Sequence, residues 1–179
     1  DVQGLIGTDY DTAISLMSNV DEYKYNVITV PGLNKTDQPP QINNLVNNSI
    51  SRGDSLSIID LVGYGSMVSH ATTAASGFDN SYTATYWPWL QTIDPNTGQV
   101  VWVPASTMIP GVYAFTDASS EPWFAPAGLN RGGIESAVSV MDRLNFAERD
   151  TLYEGKVNPI AAFPGQGIVA FGQKISKKA

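Results

Sequence analysis

Short, nearly continuous apolar runs alternate with helical patterns along the first half of the chain. Residues 25–30 (Tyr-Asn-Val-Ile-Thr-Val) and 56–62 predict two buried strands, and the first should stop at Pro31-Gly32. Helical spacing of apolar residues, with cap and stop signals at the ends, predicts helices over residues 8–20, 37–52 and 66–76. An order of this kind predicts right-handed crossovers and a mostly parallel sheet covered on both faces by helices.

The first helix should begin at Thr8-Asp9 and turn a face made of Ala13, Leu16, Met17 and Val20 toward the core. The second begins at Pro39-Pro40, because proline favours the first turn, and ends at Arg52-Gly53.

Turn residues organise the second half of the chain. Residues 81–90 are predicted to pair with residues 99–103 as a β-hairpin across Asp94-Pro95-Asn96-Thr97-Gly98. Further on, the pattern predicts a helix over 105–118 interrupted at Pro110-Gly111, a helix over 145–153, and strands over 158–163 and 167–171. The fold class is therefore α/β: a mixed, mostly parallel sheet flanked by helices, with a β-hairpin excursion around residues 81–103. We expect residues 1–179 to form a single domain.

One loop stands apart, residues 123–133, with the sequence Trp-Phe-Ala-Pro-Ala-Gly-Leu-Asn-Arg-Gly-Gly. It is too apolar for an ordinary surface loop and too rich in proline and glycine for a helix or strand. We expect a loop of fixed shape that is buried or docked.

Composition and charge narrow the range of functions. The 179 residues carry a net charge of −7, only 15% are charged, and residues 53–130 contain no Lys or Arg. Nonspecific binding of nucleic acid through a basic face is therefore not expected, whereas a charge-poor surface is typical of large assemblies.

The absence of cysteine excludes disulfides and thiolate chemistry within these residues. No run approaches the roughly 18 apolar residues of a membrane span, and no signal peptide is recognisable. The Asp-Val start without Met and the abrupt end suggest a piece of a longer protein.

Two alternative functions remain open from the residues alone. Asp60, at the end of a predicted parallel strand, and His70, the one histidine, are the candidates for a hydrolase-like enzyme. That interpretation requires the two side chains to meet, and neither a Gly-x-Ser-x-Gly elbow nor a phosphate-binding glycine loop accompanies them. The other alternative is a carbohydrate-binding module that uses Trp87, Trp89 and Trp102 as a flat platform.

The last eighty residues resemble the contractile tail sheath proteins of myophages, the T4-like branch in particular. The resemblance rests on the 123–133 loop and on four flanking segments, in the same order: Val103-Pro104-Ala105-Ser106, Gly111-Val112-Tyr113-Ala114, Val157-Asn158-Pro159-Ile160 and Gly167-Ile168-Val169-Ala170-Phe171-Gly172. Its motif residues are Trp123, Phe124, Pro126, Gly128, Asn130, Arg131, Gly132, Asn158 and Pro159.

The resemblance implies a structural subunit without catalytic residues, cofactor or metal. Such a subunit polymerises with copies of itself into a helical sheath around an inner tail tube, contacts the baseplate and tail terminator, and contracts to drive the tube through the host envelope for genome ejection. It implies a location in the virion tail, with the host cytoplasm during assembly, and no sequence-specific nucleic-acid binding or membrane insertion. Terminal arms that add strands to a neighbouring subunit would flank the present residues. Within this framework the 123–133 loop is expected to direct Trp123 and Phe124 into the core, with Arg131 satisfying carbonyls or a carboxylate.

Overall fold

The computed structural model describes Gly4, residues 6–121 and residues 123–178. Helices and strands alternate as far as residue 87, two further strands follow directly, and a short 3-10 turn lies at Ala105–Thr107. The bounds are α1 Gly7–Leu16, β1 Val27–Asn34, α2 Pro39–Arg52, β2 Leu56–Asp60, α3 Val68–Ala75, β3 Thr83–Trp87, β4 Leu90–Ile93, β5 Val100–Val103, α4 Ile109–Ser119, β6 Ala137–Val140, α5 Phe146–Glu154, β7 Asn158–Phe163 and β8 Gly167–Ala170.

The main sheet has five strands in the order β1-β2-β3-β7-β8. The first three contacts in this order are parallel, and β7 and β8 form an antiparallel hairpin at one edge. All five residues of the central strand β3 are buried. The predicted mixed, mostly parallel α/β fold is therefore confirmed.

Hydrophobic clusters cover both faces of the main sheet. On β2, Ile58 belongs to one cluster and Ile59 to the other, because successive side chains of a strand point to opposite faces. Side chains of α1, α2, α3 and α5 fill the first cluster around Leu45 and Leu152. The second cluster lies around Ile109 of α4 and beneath a small antiparallel sheet, β5-β4-β6.

Three predicted elements are confirmed nearly to the residue, and each has a local signal. Helix α2 has proline in its first turn and ends at Gly53, whose φ of 70° is left-handed. Helix α5 begins with a capping box, in which the Asn145 side chain accepts the Glu148 N–H and the Glu148 carboxylate accepts the Asn145 N–H. The β7–β8 hairpin turns at Pro164-Gly165, as predicted.

The antiparallel excursion is confirmed with a correction to its first strand. Residues 83–87 belong to the main sheet as β3, and the hairpin consists of β4 and β5, with Leu90 opposite Val103. Pro88 separates the two sheets, because it has no N–H to continue a ladder. The 94–98 turn is as predicted, with the Asp94 N–H bonded to the Gln99 carbonyl at 2.8 Å. A third strand, β6, completes the small sheet and was not predicted.

The predictions for α1 and β1 were wrong in detail. Helix α1 buries Ile14, whereas Leu16 and Val20 of the predicted core face are exposed, and neither Thr8 nor Asp9 caps it. Its orientation is set by Asp11, which accepts hydrogen bonds from Gln41 and Asn44 of α2.

Strand β1 continues through Pro31 to Asn34, because it lies at the sheet edge where a missing N–H is tolerated. Similarly, Pro110 lies in the first turn of α4 and does not interrupt a longer helix.

Candidate interaction site

The 123–133 loop covers the outer edge of β8, the last strand of the main sheet. The Gly128 N–H donates to the Ala170 carbonyl at 2.9 Å, and the Ala170 N–H donates to the Gly132 carbonyl at 2.8 Å. Just beyond the loop, the Ile134 N–H donates to the Ile168 carbonyl at 2.9 Å. These bonds satisfy backbone groups that an edge strand otherwise leaves free to pair with another chain. The loop is therefore docked, as expected.

Two glycines make this close approach possible. A Cβ on Gly132 would lie 2.4 Å from the Ala170 carbonyl oxygen and 2.8 Å from backbone atoms of Gly128. Gly128 itself has a φ of +82°, which side chains with a Cβ rarely adopt. The glycine content of the loop thus reflects backbone contact with β8.

Trp123 and Phe124 do not enter the core, and the expectation that they do was wrong. They are 77% and 42% exposed, because the loop docks through the backbone of its second half and leaves its first residues outside. Arg131 packs against this part of the loop. Its guanidinium lies 4.5 Å from the centre of the Phe124 ring, and its Nε donates a hydrogen bond to the Ala125 carbonyl at 3.3 Å. We call the Trp123, Phe124 and Arg131 side chains the aromatic knob.

Asn158 fastens the C-terminal segment to the middle of the sheet. Its buried side-chain amide donates to the carbonyls of Thr85 and Lys174 at 3.1 and 2.7 Å, and its Oδ1 accepts the Lys174 N–H at 2.7 Å. A Cβ on Gly172 would lie 2.7 Å from that Oδ1. Pro159, the next motif residue, pairs with Trp87 of β3. The Asn-Pro pair thus joins three segments that are distant in sequence.

A groove runs between α4 and residues 133–137, beside the 123–133 loop. Its larger section has a volume of about 350 Å³, and a second section of about 250 Å³ shares its central residues. Apolar side chains supply much of the lining, including the half-exposed Phe115 and Leu129. Among the described residues that line it, Glu135 is the charged one. We call this feature the α4 groove.

The structure does not bring the proposed enzyme pair together in a catalytic arrangement. Asp60 is 5% exposed, and its carboxylate accepts the N–H and the hydroxyl of Ser106 at 3.1 and 2.5 Å. Burial raises the pKa of Asp60 to about 6, although the Ser106 hydrogen bonds act in the opposite direction. His70 lies exposed on α3 and makes no hydrogen bond to Asp60. Asp60 therefore links β2 to the turn before α4.

The three tryptophans of the alternative carbohydrate platform do not share a surface. Trp87 is 2% exposed and belongs to the core. Trp89 and Trp102 lie around the Tyr64 ring, at centroid distances of 5.8 and 5.2 Å and at different tilts. The Trp89 indole N–H donates to the Val62 carbonyl at 3.1 Å. The cluster is thus largely a packing feature between the two sheets.

In residues 6–121 and 123–178, no group of three or more His, Cys, Asp or Glu side chains is placed to hold a metal ion. No helix in the same part of the chain has the length and apolarity needed to cross a membrane.

Solved structures with the same fold come from contractile injection machines. The contracted helical sheath of the anti-feeding prophage aligns with 98% of this chain at a TM-score of 0.67 and 19% identity, over 46% of its own length. The sheath complex of an extracellular contractile injection system, PVC, also contracted, aligns with 97% of this chain at 0.70 and 16% identity, over 49% of its length. At these identities the likeness concerns the fold, and the fold is of the contractile sheath class.

The sequence identifies the family. The profile of the phage tail sheath protein central domain matches residues 4–174, and the chain belongs to this family. The tail sheath protein of Vibrio phage KVP40 is 45% identical over 73 residues, which are 41% of this chain and 11% of that protein. The tail sheath protein of Enterobacteria phage T4 is 40% identical over a stretch of the same length and coverage. The matched stretch is thus about a tenth of these relatives.

Proposed function

We propose that this chain is the central part of a contractile tail sheath subunit, which polymerises around an inner tail tube and shortens to drive the tube through a host envelope. The observation that carries the proposal is the family match over residues 4–174. Sheath chains that share the fold along 97% and 98% of these residues support it.

The physical features of the chain suit a rigid unit whose contacts rearrange. The docked 123–133 loop and the Asn158 hydrogen bonds hold the β7–β8 side of the sheet together. Large apolar side chains are exposed on separate parts of the surface, among them Met67, Phe115 and Trp123. Energy in such a machine is stored as a difference between two sets of subunit contacts. Extensive apolar surface outside the core supplies area for such contacts and therefore supports the proposed function.

The remaining parts of the proposal concern partners and location. We propose contacts with the inner tail tube, the baseplate and the tail terminator, and a place in the virion tail after assembly in the host cytoplasm. The role is structural and non-catalytic, without sequence-specific nucleic-acid binding or membrane insertion. Residues 1–179 act as one domain, since one sheet separates both hydrophobic clusters.

Electron microscopy of the full-length parent protein tests this function. At high protein concentration or salt we expect hollow tubes of stacked rings. His70→Ala, which alters an exposed helix residue, should leave tube formation unchanged. A parent that stays monomeric under all these conditions and turns over or binds a small molecule through Asp60 and His70 would contradict the proposal.

A further inference from the structure

The aromatic knob is a group of exposed side chains on a loop that is docked against the main sheet. Trp123 has the largest exposed fraction among the large hydrophobic residues described. Hydrogen bonds between the backbone of the 123–133 loop and β8 hold the loop in place, and the Arg131 guanidinium packs on Phe124. An anchor that is rigid before binding loses little conformational entropy when it docks, and Trp and Arg are the residue types that most often dominate interfaces.

The α4 groove has the complementary properties. It offers a concave surface lined by Phe115, Leu129 and Ile134, with a volume at the lower end of the range of small-molecule pockets. Glu135 is exposed at the centre, in the part shared by both sections. The α4 wall of the groove comes from residues 53–130, which contain no Lys or Arg. The groove therefore combines apolar side chains with polar groups and one negative charge, whereas the knob combines two aromatic rings with one positive charge.

We propose that the aromatic knob of one copy docks in the α4 groove of a second copy, with Arg131 facing Glu135 of its neighbour. This inference rests on the proposed function, because it needs a subunit that polymerises. The knob does not occupy the groove of its own chain, as the exposure of Trp123 shows.

Knob and groove are neighbouring features of one chain, because Leu129 and Asn130 of the 123–133 loop line the groove. The rotation that relates two copies decides whether one knob or both knobs are inserted. With one knob inserted, the contact is head-to-tail and generates rings or helical filaments, as a sheath of stacked rings requires. The opposite charges then fix the orientation of the knob in the groove and disfavour other pairings.

Truncation of the knob is the first test, made in the full-length parent. We expect Trp123→Ala to raise the concentration needed for tube formation at least about tenfold, as for a typical interface anchor. Phe146→Ala is the matched control, since Phe146 is 71% exposed on α5, away from the groove-lining residues. Both variants should melt like the wild-type protein. Normal assembly of Trp123→Ala would overturn the inference.

A charge exchange tests the Arg131–Glu135 pairing. Glu135→Arg and Arg131→Glu should each weaken assembly, and the double variant should recover a large part of the loss. Arg131→Glu also removes the contact to Ala125, so its melting temperature is measured alongside. A double variant that assembles no better than either single variant would refute the pairing.

Cross-linking between copies separates this contact from the alternatives. In a parent freed of other cysteines, Trp123→Cys and Glu135→Cys copies are mixed, and disulfide-linked dimers should form only in the assembled mixture. Assembly without cross-links would overturn the inference and leave the proposed function intact. Loss of tube or baseplate binding in Trp123→Ala, with normal sheath assembly, would assign the knob to another tail component. A wild-type parent that forms no tubes would remove the proposed function together with this inference.

Discussion

Asp60 should make the stability of this fold fall as pH rises through the mildly acidic range. Its carboxylate is buried at the end of β2 and is bound by Ser106, with no cation among its hydrogen-bond partners. Burial disfavours the charged form, so the pKa of Asp60 rises from 3.8 to about 6 in the folded state. Between these two values the folded chain binds more protons than the unfolded chain. The free energy of unfolding must therefore decrease as pH increases across this window and level off above it.

The size of the effect follows from the difference between the two pKa values. One pKa unit corresponds to about 1.36 kcal/mol, so charging Asp60 costs the folded state about 3 kcal/mol in total once pH lies above both pKa values. This is a large share of the stability of a typical domain. In Asp60→Asn the group cannot ionise. Its amide oxygen still accepts a hydrogen bond from the Ser106 N–H, and the Ser106 hydroxyl oxygen can turn to accept a hydrogen bond from Nδ2.

Urea unfolding of wild type and Asp60→Asn from pH 4.5 to 8 measures this difference. Between pH 4.5 and pH 8, Asp60→Asn should gain about 2 kcal/mol of stability relative to wild type, with no further gain above about pH 7. Hydrogen bonds and Lys or Arg contacts lower the pKa of the exposed Asp54 and Asp79, and these contributions cancel in the comparison. Asp117→Asn, which removes an exposed carboxylate on α4, controls for net charge. A difference between wild type and Asp60→Asn that does not change with pH would refute the reasoning.

Three substitutions test the local features of the fold by chemical denaturation. Gly132→Ala should cost about 3 kcal/mol, because its Cβ would overlap a backbone oxygen of β8, whereas Gly133→Ala, with nothing within 4 Å, should stay within about 0.5 kcal/mol; equal effects would contradict the edge-cover role. Asn158→Ala should cost about 3 to 4 kcal/mol, since it removes three hydrogen bonds and leaves buried carbonyls unpaired, and faster hydrogen exchange of residues 174–176 should accompany it. Asn145→Ala should destabilise the chain by about 1 kcal/mol through loss of the α5 capping box, and an unchanged unfolding midpoint would count against that cap.

Local signals in the sequence predict local structure, and the confirmed elements are those with such signals. The caps of α2 and α5 and the Pro164-Gly165 turn involve residues within a few positions of each other. The identity of the sheet that β3 joins is decided by β2 and β7, which are far away in sequence. Alternation of Thr, Tyr and Trp is equally compatible with either sheet. The sequence pattern therefore places residues 83–87 in the hairpin, although they form β3 of the main sheet.

At the candidate site, the sequence predicts even fewer of the contacts between residues that are distant along the chain. Gly132 and Gly133 are indistinguishable in the sequence, and both lie beside β8, yet only at Gly132 would a Cβ collide with that strand. Asp60 and Ser106 are 46 positions apart, and nothing in the spacing indicates that they meet. Apolar character in Trp123 and Phe124 predicted burial in the core, but an interface between copies demands the same residue types. Apolar side chains in a loop with a fixed backbone therefore predict a buried contact, but they do not say whether that contact is with the chain's own core or with another chain.

The edges of the main sheet limit how copies of this domain can associate. At one edge the 123–133 loop occupies the outward backbone groups of β8. At the other edge β1 carries Pro31, which has no N–H to donate, and Gly32, whose φ of 98° interrupts the extended backbone. Natural sheets use covers and prolines of this kind to prevent strand addition. Pairing of terminal arms with the main sheet, as the resemblance implies, would then be confined to residues 27–30 of β1, and other pairing would involve the small sheet or a sheet outside these residues. For the main sheet, side-chain surfaces such as the aromatic knob and the α4 groove are the contacts that we propose between one copy and the next.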